Sequence, residues 1–379
     1  MHFTLNDDQQ AFQSLAADFS QKELTPYAAQ WDEESYFPIE TFKKAAALGF
    51  GGLYVKDDVG GSNLSRLDST LIVEALAKGC VSTTSFITIH NMVAWVIDTF
   101  GNEDQRQNVL PTMVTMDQLG SYCLTEPTSG SDAASLKTTA KKVGGDYVLN
   151  GTKAFISGAG ESSYYLTMVR TGDASHKGIS CVLVPKDAPG LSFGKKEIKM
   201  GWNSQPTRMV IFEDCKVPET ALIGQEGDGF KIAMTALDGG RVNIAACSLG
   251  GAAAALSAAK EQLKVREQFG QTLEHFQGLQ FRFADLATTH KAAQLMTYQA
   301  ADAIDQNNPE KTKLCAMAKR FTTDECFKIA DGALQLFGGY GYLREYPMER
   351  IFRDLRVHSI LEGTNEIMRI IIAKHLLKE

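Results

Sequence analysis

Hydrophobic positions along the chain change period twice. From Thr4 to about Thr115 they recur at helical spacing. Phe12, Leu15 and Phe19 share one face behind a cap-like Thr4-Leu5-Asn6-Asp7, and Ile39, Phe42, Ala46 and Ala47 form a stripe after Pro38. That second helix stops at the glycine cluster Gly49, Gly51 and Gly52. Helix resumes over residues 67–77 after a loop at Gly60 and Gly61, and Gly101-Asn102-Glu103-Asp104 opens another. Residues 85–100 are apolar nearly all round, which predicts a buried helix. From about Leu119 the apolar runs shorten to strand length at 121–125, 147–149, 154–157, 164–169, 179–184 and 209–212. Gly144-Gly145-Asp146, Pro185, Pro189-Gly190 and Pro218 punctuate them, and Asn150-Gly151 predicts a hairpin turn. This spacing predicts a small antiparallel barrel or sandwich. From Gly229 the pattern is helical again. An alanine-rich stretch covers 245–262, further helices cover 279–299 and 316–336, and a last one covers 367–377. Long helices with short connections at Asn307-Asn308-Pro309 and Phe337-Gly338-Gly339-Tyr340-Gly341 predict a four-helix bundle. The order is α, β, α, with an N-terminal helical domain at 1–118, a middle antiparallel β-barrel at 119–226 and a C-terminal four-helix bundle at 227–379.

A chain of 379 residues, 44% hydrophobic and 22% charged, is an ordinary globular protein long enough for two or three domains. A net charge of -7 without lysine or arginine runs argues against a nucleic-acid surface. No apolar run approaches the roughly 18 residues that span a bilayer. The start Met1-His2-Phe3-Thr4-Leu5 has neither a basic nor an apolar leader, which predicts a cytoplasmic protein, or a mitochondrial matrix one after removal of a transit peptide. The seven cysteines are scattered and never spaced Cys-x-x-Cys, so free buried thiols are expected. Histidine spacing offers no metal site, and neither a P-loop nor a complete Gly-x-Gly-x-x-Gly is present.

Six stretches carry candidate chemistry. Tyr122-Cys123-Leu124-Thr125 runs into a loop of small hydroxyl residues and glycine through Gly130 and Ser131, offering N–H and hydroxyl groups to an acceptor-rich ligand. Phe155-Ile156-Ser157 precedes Gly158 and Gly160, a pairing suited to stacking on a ring, although a strand-end core Phe gives the same pattern. Asp238-Gly239-Gly240-Arg241 stands at the expected start of a helix, either as a clamp for a polar group or as an N-cap with a surface ion pair. Arg266, with Phe269, Phe276 and Gln277 nearby, is suited to a bidentate pyrophosphate contact. Gln335-Leu336 leads into the close-approach glycines Gly338 and Gly339, which also read as a helix stop. Finally, Leu361-Glu362-Gly363-Thr364-Asn365-Glu366 sets a carboxylate beside a glycine. Glu362 reads either as a general base or, with Ser359, as a capping box.

Together these stretches resemble the acyl-CoA dehydrogenase family over essentially the whole chain. The most specific pieces are Tyr122 to Asp132, Arg266 to Gly270, Gln335 to Gly341 and Leu361 to Glu366. The likeness is strongest to members acting on short branched thioesters such as isobutyryl-CoA, through Val265 to Gly270, Leu314-Cys315-Ala316-Met317-Ala318-Lys319, Asp324-Glu325-Cys326-Phe327 and Val357 to Thr364. The resemblance implies FAD as cofactor and desaturation of an acyl-CoA, with Glu362 removing the α-proton and hydride passing to flavin N5. It further implies electron-transfer flavoprotein as electron acceptor and a homotetramer. Tyr122, Leu124, Thr125, Gly130, Ser131, Phe155, Ile156 and Ser157 would surround the flavin ring. Arg266, Phe269, Phe276, Gln277, Gln335, Leu336, Gly338 and Gly339 would hold its adenosine-diphosphate end, much of it across a subunit interface. Thr364 and Glu366 would also touch the cofactor, with Glu366 alternatively paired to Arg369. Ser131, Asp238, Arg241, Leu361, Gly363 and Lys374 would face the thioester. The chain departs from the common pattern at Phe155, where tryptophan is frequent, at Leu361, where medium-chain members carry tyrosine, and at Lys374, where arginine is usual. Two alternatives remain: an oxygen-using flavoenzyme of the same fold, an acyl-CoA oxidase or flavin monooxygenase, and a non-enzymatic helical scaffold.

Overall fold

The computed structural model describes residues 4–378. Six α-helices come first: α1 (Asp7–Phe19), α2 (Ala28–Glu34), α3 (Ile39–Ala46), α4 (Arg66–Ala77), α5 (Val81–Phe100) and α6 (Glu103–Val114). Local chemistry fixes several of their ends. Asn6 and Gln9 form a reciprocal capping box on α1, so the start signalled at Thr4 lies two residues later, and Asn102 with Gln105 repeats the device on α6. Phe19 is buried and Phe12 half-buried, whereas Leu15 faces solvent at 42% exposure, so the stripe is narrower than its spacing suggests. Helix α5 is buried along nearly its whole length, as its uniform apolarity predicts.

The middle region is an eight-stranded sheet: β1 (Gly120–Cys123), β2 (Thr139–Val143), β3 (Asp146–Ser157), β4 (Tyr164–Arg170), β5 (Ile179–Pro185), β6 (Leu191–Phe193), β7 (Thr207–Pro218) and β8 (Leu222–Ile223). The hydrogen-bonded order is β6-β7-β3-β2-β4-β5-β8, with β1 also on β4. The sheet is mixed rather than antiparallel throughout, because β1 and β2 both run parallel to β4. The chain leaves β1 and makes the β2–β3 hairpin before it lays β4 beside β1 in the same direction. The hairpin turns at Gly144 and Gly145, both at positive φ. Asn150-Gly151, expected as a hairpin turn, sits inside β3 at a register shift. Gly151 has φ 148, and a Cβ there would lie 2.5 Å from Thr138 Oγ1. Asn150 is fixed by two hydrogen bonds with Asp214 of β7. The pair therefore makes a bulge that bends the strand.

The last region holds α7 (Gly229–Val265), α8 (Gln277–Asp305), α9 (Lys311–Phe337), α10 (Met348–Arg356) and α11 (Asn365–Leu376). Helices α7, α8 and α9 pack on one another and α11 lies on α9, giving the expected bundle. Ala245, Ala246, Ala252, Ala255 and Ala259 allow the close approach and are fully buried. Helix α7 does contain a window apolar enough to span a membrane, of mean hydropathy 1.5, contrary to the expectation from runs. That window is 72% buried, which marks a core helix. Helix α10 escaped the pattern because its stripe of Met348, Ile351 and Leu355 is diluted by five charged residues, Glu349, Arg350, Arg353, Asp354 and Arg356.

Candidate active site

The turn between α10 and α11 is the unusual piece of backbone. Glu362 has φ 57 and Gly363 has φ 85, two consecutive left-handed residues. Glycine adopts this region freely, but a side-chain-bearing residue does so at a cost of roughly 1–2 kcal/mol. The capping box of Ser359 with Glu362 does not form. Ser359 Oγ instead takes a 2.8 Å hydrogen bond from Arg356, and the N-cap of α11 is Thr364, whose hydroxyl accepts from the Ile367 N–H. Glu362 is thereby left free of a structural task. Lys319 of α9 and Asn365 at the start of α11 hold the turn: Lys319 Nζ donates to the Gly363 carbonyl at 2.8 Å and to Asn365 Oδ1 at 2.9 Å, while Asn365 donates to Thr323 and Asp324 on α9.

The turn points the Glu362 carboxylate at α7. A Cβ on Gly240 would lie 2.5 Å from Glu362 Oε2 and 3.2 Å from Met92 Sδ, so glycine is what lets the acid lie against the helix. Glu362 Oε2 is shielded from solvent and has no hydrogen-bond partner among the described residues. Burial drives its pKa up to about 7, with Arg241 and Lys319 pulling the other way. An acid in this state has little to lose by taking a proton at neutral pH.

Asp238 and Arg241 do not begin a helix; they are the tenth and thirteenth residues of α7. Nor is their pair on the surface. Arg241 Nη1 donates to Asp238 Oδ1 at 2.7 Å, both residues are buried, and Thr312 donates to the other oxygen of Asp238 at 2.7 Å. Among the described residues, Arg241 Nε and the Tyr122 hydroxyl are buried without partners, as is Glu362 Oε2. Burial raises the Tyr122 phenol, and the Glu362 charge raises it further. Three unpaired polar atoms from β1, α7 and the α10–α11 turn thus surround one region, the signature of a site for a polar ligand. Leu361 is half-buried beside it. Lys374 is exposed in the last turn of α11, and the structure does not bring it to this cluster. Glu366 is exposed and pairs with Arg369 at 3.2 Å.

The stretches expected around a flavin fall into two groups. On the barrel, the Ala154 N–H donates to the Thr125 carbonyl and Ser121 Oγ donates to the Ser157 carbonyl, which ties β1, carrying Tyr122, and the Leu124-Thr125 segment after it to the end of β3. Phe155 is not a core residue. It stands at a register shift with φ 59 and is 71% exposed, while Ile156 next to it is buried. Gly130 and Ser131 are exposed, and a Cβ on Gly130 would meet nothing within 4 Å. The second group frames a 510 Å³ cavity lined by Arg266, Gln335, Leu336, Gly338 and Gly339 together with Tyr340. Gly338 has φ 60, and neither Gly338 nor Gly339 has a neighbour within 4 Å of a built Cβ, so a ligand has backbone access there. Phe276 caps α8, Gln277 begins it, and Phe269 is 94% exposed against Phe276; none of the three lines the cavity. No barrel residue lines it either. The residues present fit FAD: a ring surface and hydroxyl groups on the barrel, a guanidinium and open glycine backbone in the cavity.

Sequence reasoning missed Lys319, Met92 and Gly240 as individual parts of the site. Lys319 did carry a signal: it shares the buried face of α9 with Cys315, Ala316, Thr322 and Thr323, an unusual place for a lysine. Met92 is one more apolar residue of a buried helix, and nothing in its spacing sets it apart.

A three-part fold, a solvent-shielded carboxylate oxygen without a partner among the described residues and a separate nucleotide-sized cavity fit a flavin-dependent oxidoreductase. Family models described as acyl-CoA dehydrogenase, N-terminal, middle and C-terminal domain match residues 6–117, 121–215 and 227–377. The chain belongs to the acyl-CoA dehydrogenase family. It is 60% identical to the mitochondrial isobutyryl-CoA dehydrogenase of Dictyostelium discoideum and 55% identical to that of Bos taurus, covering 99% of this chain and 90% of each relative. Among solved structures it resembles butyryl-CoA dehydrogenase from Megasphaera elsdenii, with 38% identity, a TM-score of 0.97 and full coverage of both chains.

Proposed function

We propose that this chain desaturates a short branched acyl-CoA of the isobutyryl type between Cα and Cβ, with Glu362 as the base that takes the α-proton. The observation that carries this reading is the unpartnered, shielded Glu362 Oε2 against Gly240, with its pKa raised to about 7. An exposed glutamate is too weak a base for a C–H bond, and burial strengthens it. Arg241 stabilises the carboxylate form, and Tyr122, Met92 and Leu361 wall the acyl group from water. FAD, when bound, supplies the two-electron acceptor. Tyr122 to Ser131 and Phe155 to Ser157 would hold its ring, and Arg266, Gln335, Gly338 and Gly339 its pyrophosphate end. Because the second group shares no cavity with the first, the reading includes a homo-oligomer, a tetramer by family habit, in which each flavin lies between two chains. We place the nucleotide end of the CoA in a second groove of 420 Å³ lined by His176, Lys177, Phe230 and Lys231. It lies ten residues up α7 from Gly240, about 15 Å and so the scale of a pantetheine arm. Electrons would leave to electron-transfer flavoprotein, in the cytoplasm or mitochondrial matrix.

The test is anaerobic. The purified protein should be yellow and bleach on addition of acyl-CoA, fastest with isobutyryl-CoA. Faster bleaching by butyryl-CoA would sink the branched preference, and rapid recolouring by oxygen without electron-transfer flavoprotein would favour the oxidase reading.

A further inference from the structure

Lys319 is fully buried, and its hydrogen-bond acceptors among the described residues are both neutral: the Gly363 carbonyl and the Asn365 side-chain amide. A desolvated ammonium without a carboxylate on it is costly. The molecule contains a contrasting example, since buried Lys153 lies 2.9 Å from Glu126. The other cation near Glu362 is Arg241, whose charge is already engaged by Asp238 at 2.7 Å. We propose that Lys319 is a positioning residue for proton abstraction: seated on the Gly363 carbonyl, it fixes the left-handed Glu362–Gly363 turn and supplies the uncompensated positive charge that keeps the Glu362 carboxylate available as a base.

The surrounding charges agree. Around Glu362 stand Arg241 from α7, Lys319 from α9 and the Tyr122 phenol from β1. Around Lys319 stand Glu362, Arg241, Asp324 on its own helix, Glu366 of α11 and the buried His358, whose ring is held neutral by burial and then by Lys319. Burial lowers the Lys319 pKa to about 7, and the Glu362 charge opposes that fall. The two groups therefore stabilise each other's ionised forms, while Asp324 and Glu366 lie along α9 and α11 with Arg369 between them.

This inference rests on Glu362 being the base, so the experiment separates the two. Flavin bleaching rates of the holoenzyme are measured against pH for the wild type, Lys319→Met, Lys319→Gln and Asn365→Ala, with a melting temperature for each and Glu362→Gln as reference. Lys319→Gln retains a donor for the Gly363 carbonyl but no charge. The proposal expects both Lys319 variants to move the acid limb of the profile upward by about one pH unit, a loss of about tenfold below the limb. Asn365→Ala, which loosens the same turn and keeps the ammonium, should lower the melting temperature and leave the limb in place. An unmoved limb in the Lys319 variants, or an equal shift in Asn365→Ala, overturns the proposal. If neither Lys319 variant folds, the Asn365→Ala profile decides by the same criterion. A Glu362→Gln enzyme that bleaches at the wild-type rate refutes the base assignment itself and leaves no role for Lys319 to support.

Discussion

Two glutamates with solvent-shielded carboxylate oxygens, each near a buried lysine, have opposite surroundings. Glu126, in the loop after β1, accepts from the Lys137 and Thr138 backbone N–H groups at 2.6 and 2.9 Å and from Lys153 Nζ at 2.9 Å. Burial pushes Glu126 up, but Lys153 and these hydrogen bonds hold it below the ordinary carboxylate range. Glu362 has an oxygen with no donor, and its lysine is turned to the backbone beside it. A carboxylate whose two oxygens both accept hydrogen bonds is a strut, and Glu126 ties the loop carrying Gly130 and Ser131 to β3. One with an idle lone pair in a dry site is a base in waiting.

The largest effect that sharpens this contrast is on Glu362. Glu362→Gln should cut the bleaching rate by about 10²–10⁴-fold with the flavin retained. It should also stabilise the fold at alkaline pH. The folded-state pKa is raised from an ordinary 4.5 to about 7, so the penalty for ionisation grows as pH rises through that window and is absent below it. Melting curves should place the variant up to about 3 kcal/mol above the wild type at alkaline pH and level with it in acid; a variant less stable than the wild type at every pH would contradict this. Next comes Glu126→Ala, which strands Lys153 and should cost about 3–5 kcal/mol in urea unfolding, while the bleaching rate per bound flavin holds. A fall in that rate as large as for Glu362→Gln would erase the distinction between strut and base. The smallest is Gly240→Ala. Alanine suits a helix better than glycine, but its Cβ would stand 2.5 Å from Glu362 Oε2. We expect an unchanged melting temperature and a bleaching rate about tenfold lower, equivalent to about 1.4 kcal/mol of barrier.

What could be read from the sequence follows the range of the interactions involved. The cap at Asn102, the buried α5 and the alanine face of α7 are local matters of period and capping, and they were legible. Asn150-Gly151 was not, because the same dipeptide serves a turn or a bulge, and the choice lies with Thr138 just before β2 and Asp214 on β7. Asp238 to Arg241 misled for a related reason. Two glycines inside a helix are unfavourable on propensity and read as an end, but their partners are Arg66 and Glu362, both remote in sequence. Glu362 itself could be a cap or a base until the structure gave Ser359 to Arg356 and the cap to Thr364.

Helix α7 is 37 residues long, about 55 Å from end to end. It begins at the groove beside Phe230, passes Glu362 at Gly240, and hands over at Val265 to the cavity that Arg266 lines. The helix is therefore a ruler with a phase. Each residue adds 1.5 Å and turns the next by about 100°, so one residue inserted past Gly240 would swing the Arg266 end about a quarter turn around the axis. Substitutions along α7 can be absorbed locally, but changes in its length cannot. A change of length in the loops that flank the rod leaves the spacing of these sites along it intact, whereas a change in the count of residues within it does not.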